Sequence, residues 1–578
     1  YAFGFPRIGD NREFKRAVEA FWKGTLTEHG LHAAFAQLQT GIIDVYRREI
    51  DWFPVNEVTP YDAMLDTAIM VGVYAPGNLT EYYELCRGAS ALEMTKWFNT
   101  NYHYLVPDLS RVSSFKLART PFRDALQACP QGLPRLIGPF TFLKLSKGLE
   151  PSVLPARLEQ LADVYSAALR GVKDLHLDEP AFVMELSREE IAAISAAYRR
   201  IADSGARVHL FTYYDSVDWL DELLALPVAA IGLDFVHGRV MYDHIKTHGW
   251  PKGKTLVAGV VDGRNVWRVD PAAVAAELKA LHIPADRLVV SNAGPLMHVP
   301  ISVEQQGLAP ELVARLAFAD EKLHEIRLIA DTYAGKPTPA WYTPSTYGAN
   351  PAVQARVAAL TARDFERRPA YAERAWQQAD ALALPAFPTT TIGSFPQTDD
   401  VRAARAKLAK GAMTSDEYDR LVDDKIRELI AYQEELGLDV LVHGEFERSD
   451  MVEFFCQRLD GIAATAHGWI LSYGTRMYRP AIVYGDIARP KPMTVREAQF
   501  AQSLTKRPVK GMLTGAVTLL AWDFVREDIP LAHVAWQLAL ALKDEIADLE
   551  QAGISVVQID EPAFKEKAPI KQRDYAAY

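Results

Sequence analysis

Cysteine is scarce: only Cys86, Cys129 and Cys456 occur in 578 residues. They form no Cys-x-x-Cys pair and no Cys/His ligand spacing, so neither a disulfide framework nor a zinc-ribbon motif is written here. A reducing, cytoplasmic setting is the expectation. No apolar run is long enough to span a bilayer, and no signal peptide is recognisable. Positive charge is in deficit, 63 Lys and Arg against 74 Asp and Glu, for a net charge of −11. Neither nucleic acid nor an anionic membrane welcomes that sign, so any anionic ligand must be met by a local Lys/Arg cluster. A Gly-x-Gly-x-x-Gly turn after the first strand candidate is also missing, which counts against a dinucleotide fold.

What is present is length and alternation. The chain is too long for one ordinary core, so two or more domains are expected. Hydrophobic residues at 49% and charged residues at 24% are the proportions of a globular protein. Short apolar runs recur at 134–140, 174–180, 207–215, 231–238, 256–263 and 288–296. Helix-like stretches separate them, such as "REEIAAISAAYRRIADSG" at 188–205, where Gly205 sits as a C-cap glycine would. Such alternation means parallel α/β, and six or more units favour a (β/α)8 barrel of the TIM type over an open doubly wound sheet. Residues 1–333 read as that domain. The Pro/Gly-rich stretch 334–351 and the helical pattern at 352–384, interrupted at Pro369, read as a linker.

The second half, 385–578, repeats the first. "LHLDEPAF" at 175–182 returns as "QIDEPAF" at 558–564, with Asp560 lying 382 residues after Asp178. "GFPRIG" at 4–9 returns as "GSFPQT" at 393–398, Glu57 as Glu445, and "RLIGPFTFL" at 135–143 as "MLTGAVTLL" at 512–520. Matches in one order at nearly one offset mean a duplicated domain, hence two related barrels. Each Asp-Glu-Pro ends an apolar strand that proline stops, and in a barrel of parallel strands that end carries the active site. From Pro385 the chain supplies 194 residues, short of the ~250 of a usual barrel, so the second barrel is expected to be incomplete.

These motifs, with "MTKWFNTNYHY" at 94–104, "PTTTIGSFPQT" at 388–398, "VLVHGEFERSDMVEFF" at 440–455 and "GMLTGAVTLLAWDF" at 511–524, resemble cobalamin-independent methionine synthases along essentially the whole chain. The resemblance implies methyl transfer from 5-methyltetrahydropteroyltri-L-glutamate to L-homocysteine by a cytoplasmic monomer. It implies Zn2+ as the activator of the thiol. The family's His, Cys, Glu and Cys ligands and its proton-donor His find no counterpart before Tyr578. They are expected beyond it, leaving no metal ligand and no catalytic acid in these residues. On this expectation the supplied chain is inactive alone.

The resemblance also names site residues. Ile392, Gly393, Ser394, Glu445 and Asp560 are implied for homocysteine. Carboxylates suit an ammonium group, and a small-residue turn offers backbone N–H groups to a carboxylate. Structural ion pairs and a plain βα turn are the duller alternatives. Arg476, Met477, Trp522, Asp560 and Glu566 are implied for the folate, Trp522 as a stacking face for its pterin. Without the resemblance, a core tryptophan would be the better reading. Arg12, Glu13, Phe14, Lys15 and Lys116 are implied for the polyglutamate tail, whose carboxylates want Lys and Arg. His209, His237 and His443 read as packed residues, not ligands. Two rival functions stay open. One is folate or homocysteine binding without catalysis, if the protein ends at Tyr578. The other is a barrel hydrolase using paired carboxylates.

Overall fold

Each of the six apolar runs of the first half forms a strand. The structure, a computed structural model, describes residues 1–342, 346–576 and 578. Strands β1 (Arg135–Ile137), β2 (Asp174–Asp178), β3 (Arg207–Phe211), β4 (Ala230–Asp234), β5 (Thr255–Val261) and β6 (Leu288–Asn292) lie in sequence order in one six-stranded sheet, all parallel. Every residue of β4 is buried. That is why these runs are continuously apolar instead of alternating: a parallel sheet covered on both faces has no wet side. Helices fill the crossovers. In Arg188–Ala202, Ser187 and Glu190 form a reciprocal capping box at the start. Ile191, Ile194, Tyr198 and Ile201 give it one buried stripe. Gly205 takes φ +78° just past the end, a left-handed turn that glycine adopts without strain.

The assigned strands do not close into the expected barrel. Beside β1, Val55 donates to Leu133 O at 2.9 Å and Leu133 to Phe53 O at 3.0 Å, yet only an isolated parallel bridge, Pro54 with Leu133, results. Beside β6, Leu296 donates to Phe3 O at 3.3 Å, and Ala2 donates to Trp52 O at 3.3 Å. Proline at 54 has no N–H to continue a ladder, and Gly4 turns left-handed at φ +75°. These segments therefore pair by a few bonds each, Tyr1 N donating to Val290 O of β6 at 2.9 Å among them, and no continuous ladder is assigned.

The chain divides into two units. The first is Tyr1–Pro344 with Ala466–Arg479 and Lys567–Tyr578; the second is Ser345–Thr465 with Pro480–Glu566. In the second, β7 (Leu441–Val442), β8 (Val509–Thr514) and β9 (Val556–Asp560) form a parallel sheet in the order β9-β8-β7. A separate three-stranded sheet joins Asp460–Ala463, Ile482–Ala488 and Phe524–Val525. The linker expected at 334–384 is not free-standing. Asn350 N–H donates to Asp486 at 2.8 Å and Arg356 pairs with Asp544 at 2.8 Å, so the helix Pro351–Ala358 belongs to the second unit. Two segments of the second half go to the first unit instead. One is the hairpin Ile470–Tyr473/Arg476–Tyr478, held by Lys15 donating to Thr475 O at 3.3 Å and by His103 edge-on to Tyr473. The other carries Lys571, only 1% exposed, whose ammonium donates to Asp218 at 2.8 Å. Among the described residues no helix is long and apolar enough to cross a membrane.

Burial raises several carboxyls of the first unit, Asp62, Asp66 and Glu179 among them, and gives it a pH signature. Asp62 caps the helix Ala63–Met70, accepting from Met64 and Leu65 N–H at 2.8 and 3.0 Å. One turn on, Asp66 accepts from Tyr82 Oη at 2.8 Å. Burial pushes Asp66 up to about 7 despite that bond, with Asp62 adding repulsion; burial likewise takes Asp62 to about 6. A carboxyl whose folded pKa lies above its unfolded value favours the fold when protonated. That contribution is complete below pH ~4 and is lost as pH rises through 7. Buried His176, His209 and His298, all held down by burial, titrate in the opposite sense. The clean measurement is therefore a difference: Asp66→Asn should gain thermal stability relative to the parent protein as pH goes from 5 to 8. A Tm gap that stays flat over that range would contradict the burial argument.

Candidate active site

The repeated Asp-Glu-Pro has one solution in both units. In the first, Ile137 of β1 pairs with Asp178 of β2, and Gly138 N–H donates to Asp178 O at 2.8 Å. In the second, Thr514 of β8 pairs with Asp560 of β9, and Gly515 N–H donates to Asp560 O at 2.9 Å. The glutamates face away from this chemistry. Glu179 accepts from Phe140 and Thr141 N–H at 3.1 and 2.7 Å, and Glu561 from Val517 and Thr518 N–H at 3.0 and 2.7 Å. Each thus satisfies the first turn of the helix after the neighbouring strand, Pro139–Lys144 or Ala516–Trp522. Of each acidic pair, only the aspartate stands at the strand end as a candidate ligand.

The two aspartates have different surroundings. In the first unit Arg135 Nε donates to Asp178 at 2.6 Å, and its Nη1 donates to Glu57 at 2.8 Å. His176, stacked flat on Phe211 at 3.9 Å, contacts Asp178 at 2.9 Å. Burial raises Asp178, but Arg135 and His176 outweigh it and hold the carboxyl at about 2. In the second unit Asp560 is half-buried and accepts from Gln558 Nε2 at 2.7 Å; the same nitrogen donates to Ile392 O at 2.9 Å. Lys510 Nζ is directed to Gln558 Oε1 at 2.6 Å and Thr391 O at 2.8 Å, not to Asp560.

Around this point the structure gathers all five residues expected for homocysteine. Gln558 ties Ile392 to Asp560. Gly393 has φ +142°, and a Cβ there would lie 2.4 Å from Met512 Cε and 3.0 Å from Glu445 Oε1. Glycine is thus needed for room as well as for conformation. The N–H groups of Gly393 and Ser394 meet no protein acceptor among the described residues. Glu445 holds a left-handed φ of +58°, unusual for a side chain with a Cβ, and strain of this kind collects at functional positions. Its nearest cation is Arg448 at 3.7 Å, whose better contacts are Glu447 at 2.8 Å and Met512 O at 3.0 Å.

The expected folate residues divide. Trp522, at the end of Ala516–Trp522, and Glu566 lie in the second unit with Asp560; both side chains are partly buried. Arg476 and Met477 lie in the first unit, because the hairpin that carries them packs there. They line an open cavity with Lys15, Arg87, Trp22, Tyr61 and Tyr473. Lys116, exposed beside Gly72, is not among its lining residues. Arg12 has φ +62° and lies over the Trp469 ring at 4.5 Å. Glu13 accepts from Asn11 N–H at 3.0 Å and pairs with Arg16. Phe14 is fully buried against Phe35 at 5.5 Å, so its side chain is core and offers a ligand nothing. His209 and His443 are buried beside Asp174 and Glu447, as packed residues are. His237, expected to be packed too, sits exposed at the end of β4 with Nδ1 3.0 Å from Asp234.

Comparison with known proteins identifies the family. A family model described as "Cobalamin-independent synthase, N-terminal domain" matches residues 1–285, and one described as "Cobalamin-independent synthase, Catalytic domain" matches 387–578. A Thermotoga maritima protein named 5-methyltetrahydropteroyltriglutamate–homocysteine methyltransferase is 45% identical, covering 100% of this chain and 81% of its own. The chain belongs to the cobalamin-independent methionine synthase family. Relatives of the same name from Halalkalibacterium halodurans and Streptomyces griseus are each 42% identical, again over 100% of this chain and over 81% and 80% of theirs. A solved B12-independent methionine synthase from Shewanella sp. W3-18-1 is 24% identical over 31% of this chain and 52% of its own, with a TM-score of 0.26.

For a cobalamin-independent methionine synthase, the hydrolase reading falls away, and the geometry says why. Glu179 and Glu561 are engaged as helix caps, so neither Asp-Glu pair is a free acid and base. The family resemblance implied zinc, with none of its ligands among these residues. Among the described residues no group of three or more His, Cys, Asp or Glu could hold a metal ion, and the three thiols are each buried apart. These residues therefore do not fit zinc, and no step is routed through one. Three residues that matter here were missed in the sequence: Arg135, Met512 and Gln558. The signal was available, since "RLIG" at 135–138 and "MLTG" at 512–515 set Arg135 against Met512.

Proposed function

We propose that the protein transfers the methyl group of 5-methyltetrahydropteroyltri-L-glutamate to the sulfur of L-homocysteine, giving L-methionine. The observation that carries this reading is the open set of anchors in the second unit. Among the described residues, two carboxylates, Glu445 and Asp560, have no guanidinium bound between them, and two turn N–H groups, Gly393 and Ser394, have no protein acceptor. Ammonium on the carboxylates and carboxylate on the turn fix an α-amino acid at both ends, leaving its side-chain thiol to be aimed. A free thiol near pKa 8.5 is mostly protonated at neutral pH, so the site must favour the thiolate, and the leaving pterin nitrogen needs a proton. Trp522 supplies the flat face and Glu566 the hydrogen-bonding edge for the pterin. Lys15, Arg12, Arg476 and Lys116 supply charge for the tail, with Met477, Glu13 and Phe14 as their neighbours. The reading carries with it two related (β/α)8-type barrels, residues 1–333 and 385–578, in a cytoplasmic monomer. The bonds of Tyr1, Phe3, Val55 and Leu133 at the edges of the six-stranded sheet support the first barrel.

The test is methyl transfer itself, followed as methionine formed by the purified protein from triglutamyl and monoglutamyl methyl-folate. Lys15→Ala, alone and with Lys116→Ala, should weaken the triglutamyl donor far more than the monoglutamyl one. The difference should shrink at high salt, because exposed charge pairs are screened. Equal losses on both donors would remove these lysines from the tail site, and a protein that binds neither methyl-folate nor homocysteine would remove the proposed reaction.

A further inference from the structure

Glu445 stands beside a buried arginine that does not bind it. Residues 443–448 of the second unit turn sharply, with Gly444 and Glu445 both at positive φ, +92° and +58°. The backbone of this kink is tied down from neighbouring segments. Phe395 N–H donates to Gly444 O at 3.0 Å, and Gln397 Nε2 to Glu445 O at 3.3 Å. Arg405 Nη2 donates to Phe446 O and Arg448 O, both at 2.8 Å. Against the kink lies the Arg448 guanidinium, 4% exposed, over the Phe454 and Phe455 rings at 5.1 and 5.3 Å. Arginine does not shed its proton, so one buried there needs a carboxylate. Two are in reach. Nε donates to Glu447 Oε1 at 2.8 Å, while Nη1 stops 3.7 Å from Glu445 Oε1, too far for a hydrogen bond.

Glu447 decides between them. Its side chain is 6% exposed, and the Oε1 that takes Arg448 is also 3.1 Å from His443 Nε2. Burial raises its carboxyl, but His443 and Arg448 outweigh burial and hold it well below the usual carboxylate range. Its other oxygen, Oε2, is buried with no partner among the described residues, and so is His443 Nδ1. A carboxylate recruited only to hold the fold would use both oxygens, since a buried acceptor left alone is costly. Nor do the backbone bonds of the kink pass through Glu447.

We propose that Glu447 is a positioning residue for the amino-acid site: it occupies Arg448, so that the Glu445 carboxylate is left for a substrate ammonium. This rests on the proposed role of Glu445. A move of about 1 Å would bring Nη1 within hydrogen-bond distance of Glu445. A guanidinium there would compete with the ammonium for the same oxygens. His443 braces Glu447 from its other side and acts through it.

The experiment uses the whole protein. Glu447→Gln keeps the shape and removes the charge, so Arg448 should turn to Glu445. L-homocysteine binding by calorimetry should weaken about 10- to 100-fold, the scale of one charge-assisted hydrogen bond, with triglutamyl-folate binding retained. Adding Arg448→Met to Glu447→Gln removes the competing cation. Homocysteine affinity should then return to within about threefold of the parent protein's, because the two losses are not independent. A structural role for Glu447 predicts the reverse, and a double variant that binds no better than Glu447→Gln overturns the proposal. Glu445→Gln is run beside them. If it loses homocysteine and a folded Glu447→Gln does not, this inference alone is overturned. If Glu445→Gln binds normally, the proposed homocysteine site falls with it. Glu447→Gln leaves a buried guanidinium short of its counter-charge and can fail to fold. The double variant, which buries neither charge, then decides: folded, it should bind homocysteine within the same threefold, and loss of homocysteine by it overturns the proposal.

Discussion

Asp560→Asn should raise the L-homocysteine dissociation constant by an order of magnitude or more. Asparagine keeps the shape and can still accept from Gln558, but it loses the charge proposed to face the ammonium. A hydrogen bond to a charged group contributes about 1.5–3 kcal/mol, which is roughly 10- to 150-fold in affinity. Asp178→Asn should behave in the opposite way. Homocysteine binding should stay where it was, because Asp178 already carries Arg135 at 2.6 Å. Stability should fall instead, by up to about 3–5 kcal/mol, the range for breaking a buried ion pair from one side. Asp178 is 1% exposed and Arg135 would keep only Glu57. The acid limb adds a second readout. Asp178 sits at about 2, below its unfolded value, so its contribution is present above pH ~4 and vanishes as pH falls through 2. The variant should therefore lose less stability than the parent between pH 4 and 2. Equal weakening of homocysteine by the two substitutions would mean that the units are not specialised.

The fold was legible wherever burial dictates composition. All six apolar runs became strands, because a sheet covered on both faces tolerates little else. The repeat was legible because register and capping reuse the same residues twice. What the sequence hid were choices between near-equal partners. Nothing in "DEP" says that its glutamate ties down a helix and leaves the aspartate alone at the strand end; that depends on which N–H groups lie opposite. "EFK" gave no sign that Phe14 points into the core while Lys15 points into a cavity, although a helix turns side chains three residues apart onto one face and neighbours onto different ones. The hairpin with Arg476 and Met477 joined the first unit through contacts with Lys15 and His103, more than 360 residues earlier, which no local pattern encodes. The barrel closure expected from the alternation was thinned to a few scattered bonds beside Pro54 and Gly4, a detail smaller than the pattern that led to it.

The capping glutamates should prove the more structural half of the repeated motif. Glu561→Ala removes the acceptor of Val517 N–H, of Thr518 N–H and of the Thr518 hydroxyl at 2.7 Å. Each stranded donor costs about 1–3 kcal/mol, so a loss on the order of 3–5 kcal/mol is expected. Glu179→Ala should cost at least as much, since Glu179 is fully buried and also accepts from Tyr198 Oη at 3.1 Å. Lying in the first unit, it should leave homocysteine affinity unchanged. The glycines that precede these helices make the assignment sharper. A Cβ on Gly515 would sit 2.1 Å from Glu561 Oε1, and one on Gly138 would sit 2.2 Å from Glu179 Cδ. Gly515→Ala should therefore destabilise by pushing the glutamate off its helix, and the damage should depend on the glutamate being there. Contacting residues commonly couple by 0.5–3 kcal/mol, roughly the range a double-mutant cycle resolves. Gly515→Ala combined with Glu561→Ala should be more stable than the sum of the single losses, because the clash vanishes with its partner. Denaturant melts of the four proteins supply the cycle, and strictly additive losses would show that Gly515 and Glu561 do not act on one another.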